Sequence, residues 1–182
     1  MGRSSRERQQ MVDVNSKLEK VSDNIDKANS AEEKCKACTE ALNNLDAKPI
    51  VDFGAKAAEL SAVYETVHMK SAIQRDLERL SSLAEVSFRL VLQQMAQGYV
   101  GCMRTCSPDW SGMTPGEAFK QQCKTAMTEL ENFLATFSKI GDSFYTLEWL
   151  KPAEDKLKYR AFVESCQQAL TLRIEHLRSL NN

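Results

Sequence analysis

The chain has 182 residues, of which 42% are hydrophobic and 27% charged, and its formal net charge is −1. This length suffices for one domain with its own hydrophobic core but is too short for two. Lys and Arg alternate with Asp and Glu and form no basic stripe, so the composition disfavours a nucleic-acid partner. Only seven Gly and four Pro leave few places for turns, which predicts long elements.

The most apolar local stretch, residues 88–95, is interrupted by Arg89, Gln93 and Gln94. A membrane-spanning helix needs about twenty predominantly apolar residues, and no stretch of this sequence approaches that length. The first residues also lack the apolar run of a secretory signal. We therefore expect a soluble intracellular protein of the cytoplasm.

The first segment, from Met11 to Leu45, has apolar and small residues at alternating spacings of three and four. These are the a and d positions of about five heptads, and they predict a single coiled-coil helix roughly 50 Å long. The pattern is strongest from Val14 to Ile25, and this face is expected to bind a partner helix or to pack on the chain's own later helices. Residues 1–10 are predicted to be a flexible arm, and residues 11–182 a single helical-bundle domain.

Further amphipathic segments complete an all-α prediction: an elongated bundle of about four long helices and a short connecting helix. The second pattern, from Phe53 to Met95, is longer than a typical globular helix. We therefore expect a bend near Ser71 or a break at Gly98–Gly101.

The third and fourth helices have recognisable ends. Thr114 and Pro115 fit the N-cap and first position of the third helix, and Gly141 fits a left-handed cap at its end. A short turn follows from Asp142, and Pro152 can open the last helix.

The cysteines are expected to be reduced and mostly buried, because they fall within helical patterns and the chain can bury a core without covalent links. The spacings of Cys35/Cys38 and Cys102/Cys106 leave a zinc site or a regulatory disulfide as alternatives.

Catalytic and cofactor motifs are weak in this sequence. Glu65 and His68 have the i, i+3 spacing found in di-iron bundles, but a second pair is lacking, since the residue three before His176 is Arg173. There is no G-x-S-x-G elbow and no phosphate-binding loop. We expect no enzymatic activity, no cofactor and no metal.

The sequence thus predicts a non-enzymatic helical scaffold or assembly subunit that binds protein partners, or a second copy of itself, through a long helix face. One alternative is a curved, lipid-binding bundle on a membrane surface, which the alternating charges disfavour. Another is a ligand- or metal-binding four-helix bundle. The candidate partner-binding residues lie on the first helix and in the loop before the third helix: Met11, Val14, Leu18, Val21, Ile25 and Trp110.

Overall fold

The computed structural model describes the backbone of residues 3–67, 72–106, 116–146 and 153–182. Within these ranges the chain is helical and contains no strand, so the predicted all-α class is confirmed. The helices are α1 (Arg3–Asp26), α2 (Ala31–Asn43), α3 (Lys48–Val67), α4 (Ala72–Thr105), α5 (Glu117–Ser143) and α6 (Ala153–Leu180).

The first predicted helix is in fact two helices, α1 and α2. The hydroxyl of Ser30 accepts a hydrogen bond of 3.1 Å from the backbone N–H of Glu33, and the Glu33 carboxylate accepts one of 2.9 Å from the N–H of Asn29. These bonds satisfy N–H groups that would otherwise be left free where a helix begins. The prediction of one helix through Leu45 is therefore wrong. Helix α1 also begins at Arg3, within the segment predicted to be an arm.

Helix α4 is the central element of the fold. It contacts α1, α2, α3 and α5, and at 34 residues it is about 50 Å long. Its middle portion is buried, including Ala84, Val91 and Met95, as the apolar pattern of this segment predicts. The helix continues through Gly98–Gly101, so the break predicted there is wrong. Ser71, where a bend was the other expectation, lies outside the described residues.

The directions of the helices follow from the contacts they make with α4. Helix α1 runs parallel to α4, because Asn15 is bonded to Leu83 at one end and Asp26 to Gln97 at the other. Helix α2 runs antiparallel to α4, since Cys38 faces Gly98 while residues 31–35 face position 101. Helices α1 and α2 therefore form an antiparallel pair on one side of α4.

Helices α5 and α6 form a second antiparallel pair. The Tyr159 hydroxyl donates a hydrogen bond of 2.8 Å to the carbonyl oxygen of Gly141, and the Gln167 amide donates one of 3.0 Å to the Ser138 hydroxyl. Helix α5 begins at Glu117 after an extended Gly116 and continues past Gly141 to Ser143, so Gly141 is not a left-handed cap. The predicted cap Thr114 lies outside the described residues.

Aromatic side chains fill the space between α4 and the second pair. Phe133, Phe137 and Phe144 are fully buried, and the Phe88 ring of α4 lies 5.4 Å from the ring of Phe144 and 5.2 Å from that of Tyr159. Such tilted pairs add about 0.5–1.5 kcal/mol each beyond the area that they bury. This side of the molecule is a closed aromatic core.

Candidate docking groove

Helix α1 packs on α4 through a buried row that includes polar residues. The Asn15 side-chain amide donates a hydrogen bond of 3.3 Å to the carbonyl oxygen of Leu83, and the Ser87 hydroxyl donates to the Asn15 side-chain oxygen. Both polar side chains are buried, and their hydrogen bonds offset the cost of removing them from water. The buried row consists of Met11, Asn15, Leu18, Ser22 and Ile25.

A second polar contact lies further along the same interface. The Gln94 amide of α4 donates hydrogen bonds of 3.2 Å to the carbonyl oxygen of Leu18 and of 3.2 Å to the hydroxyl of Ser22. Gln94 is itself almost completely buried. Buried polar contacts of this kind select one register of two packed helices, because any other register leaves a buried amide without partners.

These contacts set the rotation of α1 about its own axis. The heptad pattern predicts that Val14 and Val21 lie on the packed face of α1, whereas the structure buries the next residues, Asn15 and Ser22. Neighbouring residues on a helix are about 100° apart, so the two valines lie on the flank of the α1–α4 interface and are only half-buried. The apolar stripe of α1 is therefore wider than the face that α4 covers.

The flank with Val14 and Val21 forms one wall of a groove, and α2 forms the opposite wall. The space enclosed is about 630 Å³, and from Val14 to Ile25 the groove is about 17 Å long. We call it the α1/α2 groove. It is lined by Val14, Lys17, Leu18, Val21, Asn24, Ile25, Ala37, Glu40, Ala41, Asn44, Leu45, Asp46, Pro49 and Gln94.

The charges at the edges of the α1/α2 groove differ between its two walls. Lys17 lies on the α1 side, whereas Glu40 and Asp46 lie on the side of α2 and the turn that follows it. All three side chains are exposed. The carboxyl end of α2 adds partial negative charge from its terminal carbonyl groups at the same end of the groove as Val14.

The predicted partner-binding residues have different positions in the structure. Val14, Leu18, Val21 and Ile25 line the α1/α2 groove, although Leu18 and Ile25 are mostly covered by the chain itself. Met11 is 1% exposed and lines a separate cleft between α1 and α3. Trp110 lies outside the described residues.

The second wall of the groove was not predicted from the sequence. A row of small residues at i, i+4 spacing, Ala37 and Ala41, continues to Leu45 and faces the valines of α1. This spacing was visible in the sequence. With α1 and α2 read as one helix, however, the two walls could not face each other.

A disulfide between Cys35 and Cys102 joins α2 to α4 across 67 residues, with Cα atoms 4.7 Å apart. The expectation that all cysteines are reduced is therefore wrong for this pair. The approach depends on glycine: a Cβ atom at Gly98 would lie 2.8 Å from Cβ of Cys38, and one at Gly101 would lie 3.2 Å from the nitrogen of Cys35. The zinc alternative required Cys35 and Cys102 as thiolate ligands, but here they are bonded to each other.

The four other cysteines are buried free thiols. Burial raises the pKa of Cys38 and of Cys166 to about 11, and that of Cys106 to about 12. Thiols with such pKa values stay protonated near neutral pH and are poor nucleophiles and metal ligands. Among the residues that the structure describes, no three His, Cys, Asp or Glu side chains are grouped to hold a metal ion, and His68 lies outside those residues.

The fold and the groove together define an all-α bundle around one central helix, with a closed aromatic side and a grooved side. None of the helices in the described ranges is long and apolar enough to cross a membrane. No model of a known protein family, no curated protein and no solved structure matches the chain.

Proposed function

We propose that this protein is a helical interaction module that binds an amphipathic helix of a protein partner in the α1/α2 groove. The rotation of α1 is the observation that carries the proposal. Val14 and Val21 stay half-exposed along the groove, while the polar residues Asn15 and Ser22 occupy the buried positions beside them. Full burial of an exposed valine stabilises a fold by about 1.5–3 kcal/mol, so apolar burial alone favours the opposite rotation.

The dimensions of the groove suit a helix. A length of about 17 Å corresponds to three turns of an α-helix. Helices that bind in grooves present apolar anchors at i, i+3 or i+4, and i+7. The wall at Ala37 and Ala41 has only short side chains, which let a partner helix approach α2 closely.

The charges at the edges favour one orientation and composition of the partner. A helix with Lys or Arg along the edge that faces Glu40 and Asp46, and with an acidic residue near Lys17, complements both walls. Complementary charges of this kind fix register and speed association more than they add affinity. The same acidic edge disfavours anionic lipid as the occupant, since such surfaces bind basic clusters.

A displayed library of helical peptides tests this proposal. The peptides carry apolar residues at the anchor spacing, and their edge positions are randomised. Peptides selected on the intact protein should be enriched in Lys and Arg on one edge, and Glu40→Lys should shift that preference toward Asp and Glu. Binding constants are measured by fluorescence anisotropy.

Substitutions within and outside the groove locate the binding site. Val21→Glu should weaken the selected peptides at least about tenfold, because their apolar anchors would then meet a carboxylate. Val12→Glu is the matched control, since Val12 is on the same helix, 44% exposed and not part of the groove lining. Equal effects of the two substitutions would refute the proposal. Sedimentation that showed Val21-dependent self-association would replace the partner helix with a second copy of the chain.

A further inference from the structure

Helix α2, one wall of the groove, packs against α4 mostly through small side chains. Its 13 residues bury only three side chains, Cys35, Cys38 and Leu42, and Leu42 is the only large one. Helix α5, which has 27 residues, buries four large apolar side chains, Leu130, Phe133, Phe137 and Ile140. The apolar area that holds α2 in place is therefore small.

The surface of α4 under α2 is also made of small residues. Gly98 and Gly101 let the two backbones approach, but they contribute no side-chain area to the contact. Toward its amino end, where Leu42 does not reach, the buried side chains of α2 are Cys35, which is bonded to Cys102, and Cys38, which lies against Gly98. The covalent link thus fixes a close crossing at which α2 itself buries no large side chain.

We propose that the Cys35–Cys102 disulfide is a redox lock on the α1/α2 groove. In the oxidised protein it holds α2 in position as the second wall. When a dithiol reductant opens it, α2 loosens from α4 and the groove loses its shape. The consequence for binding rests on the proposed function, whereas the loosening of α2 does not.

Reduction of the Cys35–Cys102 bond is an ordinary thiol–disulfide exchange. One thiolate of the external dithiol attacks Sγ of Cys35, which forms a mixed disulfide and releases Cys102 as a thiolate that takes up a proton. The second thiol of the reductant then attacks the mixed disulfide, releases the Cys35 thiol and leaves the reductant as its own disulfide. Two electrons pass from the reductant to the protein.

The surroundings of Cys35 provide a route for this attack. Cys35 lines a cleft of about 640 Å³ between α2 and α5, together with Thr39, Asn132 and Thr136. Its side chain is only 2% exposed, so the attack requires local opening of α2. Disulfides persist in oxidising compartments and are rare in reducing ones, so the redox state of the surroundings would set the state of the lock.

The free thiols near the lock do not open it themselves. Cys38 follows Cys35 by one turn of α2, and Cys106 lies just past the last residue of α4, after Cys102. Both are buried, and their raised pKa values keep them protonated. Without a thiolate, internal exchange is slow, so the external reductant controls the state of the lock.

Amide hydrogen exchange on the full chain tests the lock without any partner. Reduction with dithiothreitol should raise the exchange rates of α2 amides at least about tenfold, with α5 and α6 unchanged. The Cys35→Ser/Cys102→Ser double variant should show the same pattern without reductant and should not respond to it. Cys166→Ser, which removes a buried free thiol of α6, is the matched control and should retain the response of α2 to reductant. Unchanged α2 exchange, or an equal rise in α5 and α6, would overturn the proposal.

The selected peptides provide a second readout. Their dissociation constants should rise at least about tenfold on reduction of the wild-type protein and should not change on treatment of the double variant. If α2 loosens but no peptide binds in either state, the lock is supported and the proposed function fails. If peptides bind the groove equally in both states and α2 exchange does not change, the lock fails and the proposed function stands.

Discussion

The two helix pairs that flank α4 are held by different forces. The α5/α6 side is packed with aromatic rings, with Phe133, Phe137 and Phe144 fully buried. The α1/α2 side buries fewer large residues, such as Leu18 and Leu42, and is also held by hydrogen bonds of Asn15 and by the disulfide between α2 and α4. Aromatic packing stabilises the fold mainly through the large apolar area that it buries, whereas hydrogen bonds and a covalent bond join specific atoms.

We therefore expect the α5/α6 side to contribute more to stability, whereas the α1/α2 side contains the open groove. Among the described residues, the rings between α4 and the α5/α6 pair pack against one another. The α1/α2 side buries less apolar area and contains a groove between its two helices. Substitutions on each side should therefore differ in their effect on stability.

The largest effect is expected from Phe133→Ala on the aromatic side. Phe133 is fully buried, and the loss of a buried phenylalanine costs about 3–5 kcal/mol. The free energy of unfolding is measured by urea denaturation. Leu172→Ala on α6 is the control, because Leu172 is 59% exposed and should change stability by less than about 0.5 kcal/mol. A loss below about 1 kcal/mol for Phe133→Ala would contradict the assignment of the main core to this side.

A smaller effect is expected from the polar contact on the α1 side. Asn15→Ala should cost about 1–2 kcal/mol, and Ser87→Ala about 1 kcal/mol. Because the two side chains bond each other, the double variant should cost less than the sum, by about 0.5–1.5 kcal/mol. Asn24→Ala, an exposed position on the groove edge, serves as the control. Strict additivity would show that this pair does not fix the rotation of α1.

The smallest effect is the pH dependence contributed by the buried thiol of Cys106. Burial raises its pKa from 9.0 to about 12 in the folded state, so between those values the unfolded chain releases a proton that the folded chain keeps. The stabilisation is therefore complete below pH 9 and is lost as the pH rises toward 12. The melting temperature of Cys106→Ala should fall less steeply above pH 9 than that of the wild-type protein. Parallel curves would contradict burial of this thiol.

Several local features could be predicted from the sequence because they depend on neighbouring residues. The central position of residues 83–95 followed from their apolar pattern. The turn between α1 and α2 could also have been predicted, since Ser30 and Glu33 have the spacing of a capping box. The continuous heptad spacing across this turn concealed it. In a similar way, Gly98 and Gly101 suggest a break when only helix propensity is considered.

The candidate groove depended on a choice that the local pattern left open. Val14 and Asn15 are adjacent, and the hydrophobic pattern alone favours burial of the valine. The structure buries the asparagine because α4 presents the carbonyl oxygen of Leu83 and the hydroxyl of Ser87 to it. Those partners lie about seventy residues away, so no pattern within α1 could predict them.

The sequence by itself determined that the chain is helical and which residues are apolar on each helix, because the helical period is a local property of the chain. Only the tertiary structure decided how α1 is rotated, that α2 folds back beside it, and that Cys35 pairs with Cys102. These outcomes depend on the distances between segments remote in sequence, such as the 4.7 Å between the Cα atoms of the disulfide. The α1/α2 groove depends on all three of these features: the rotation of α1, the position of α2 and the disulfide.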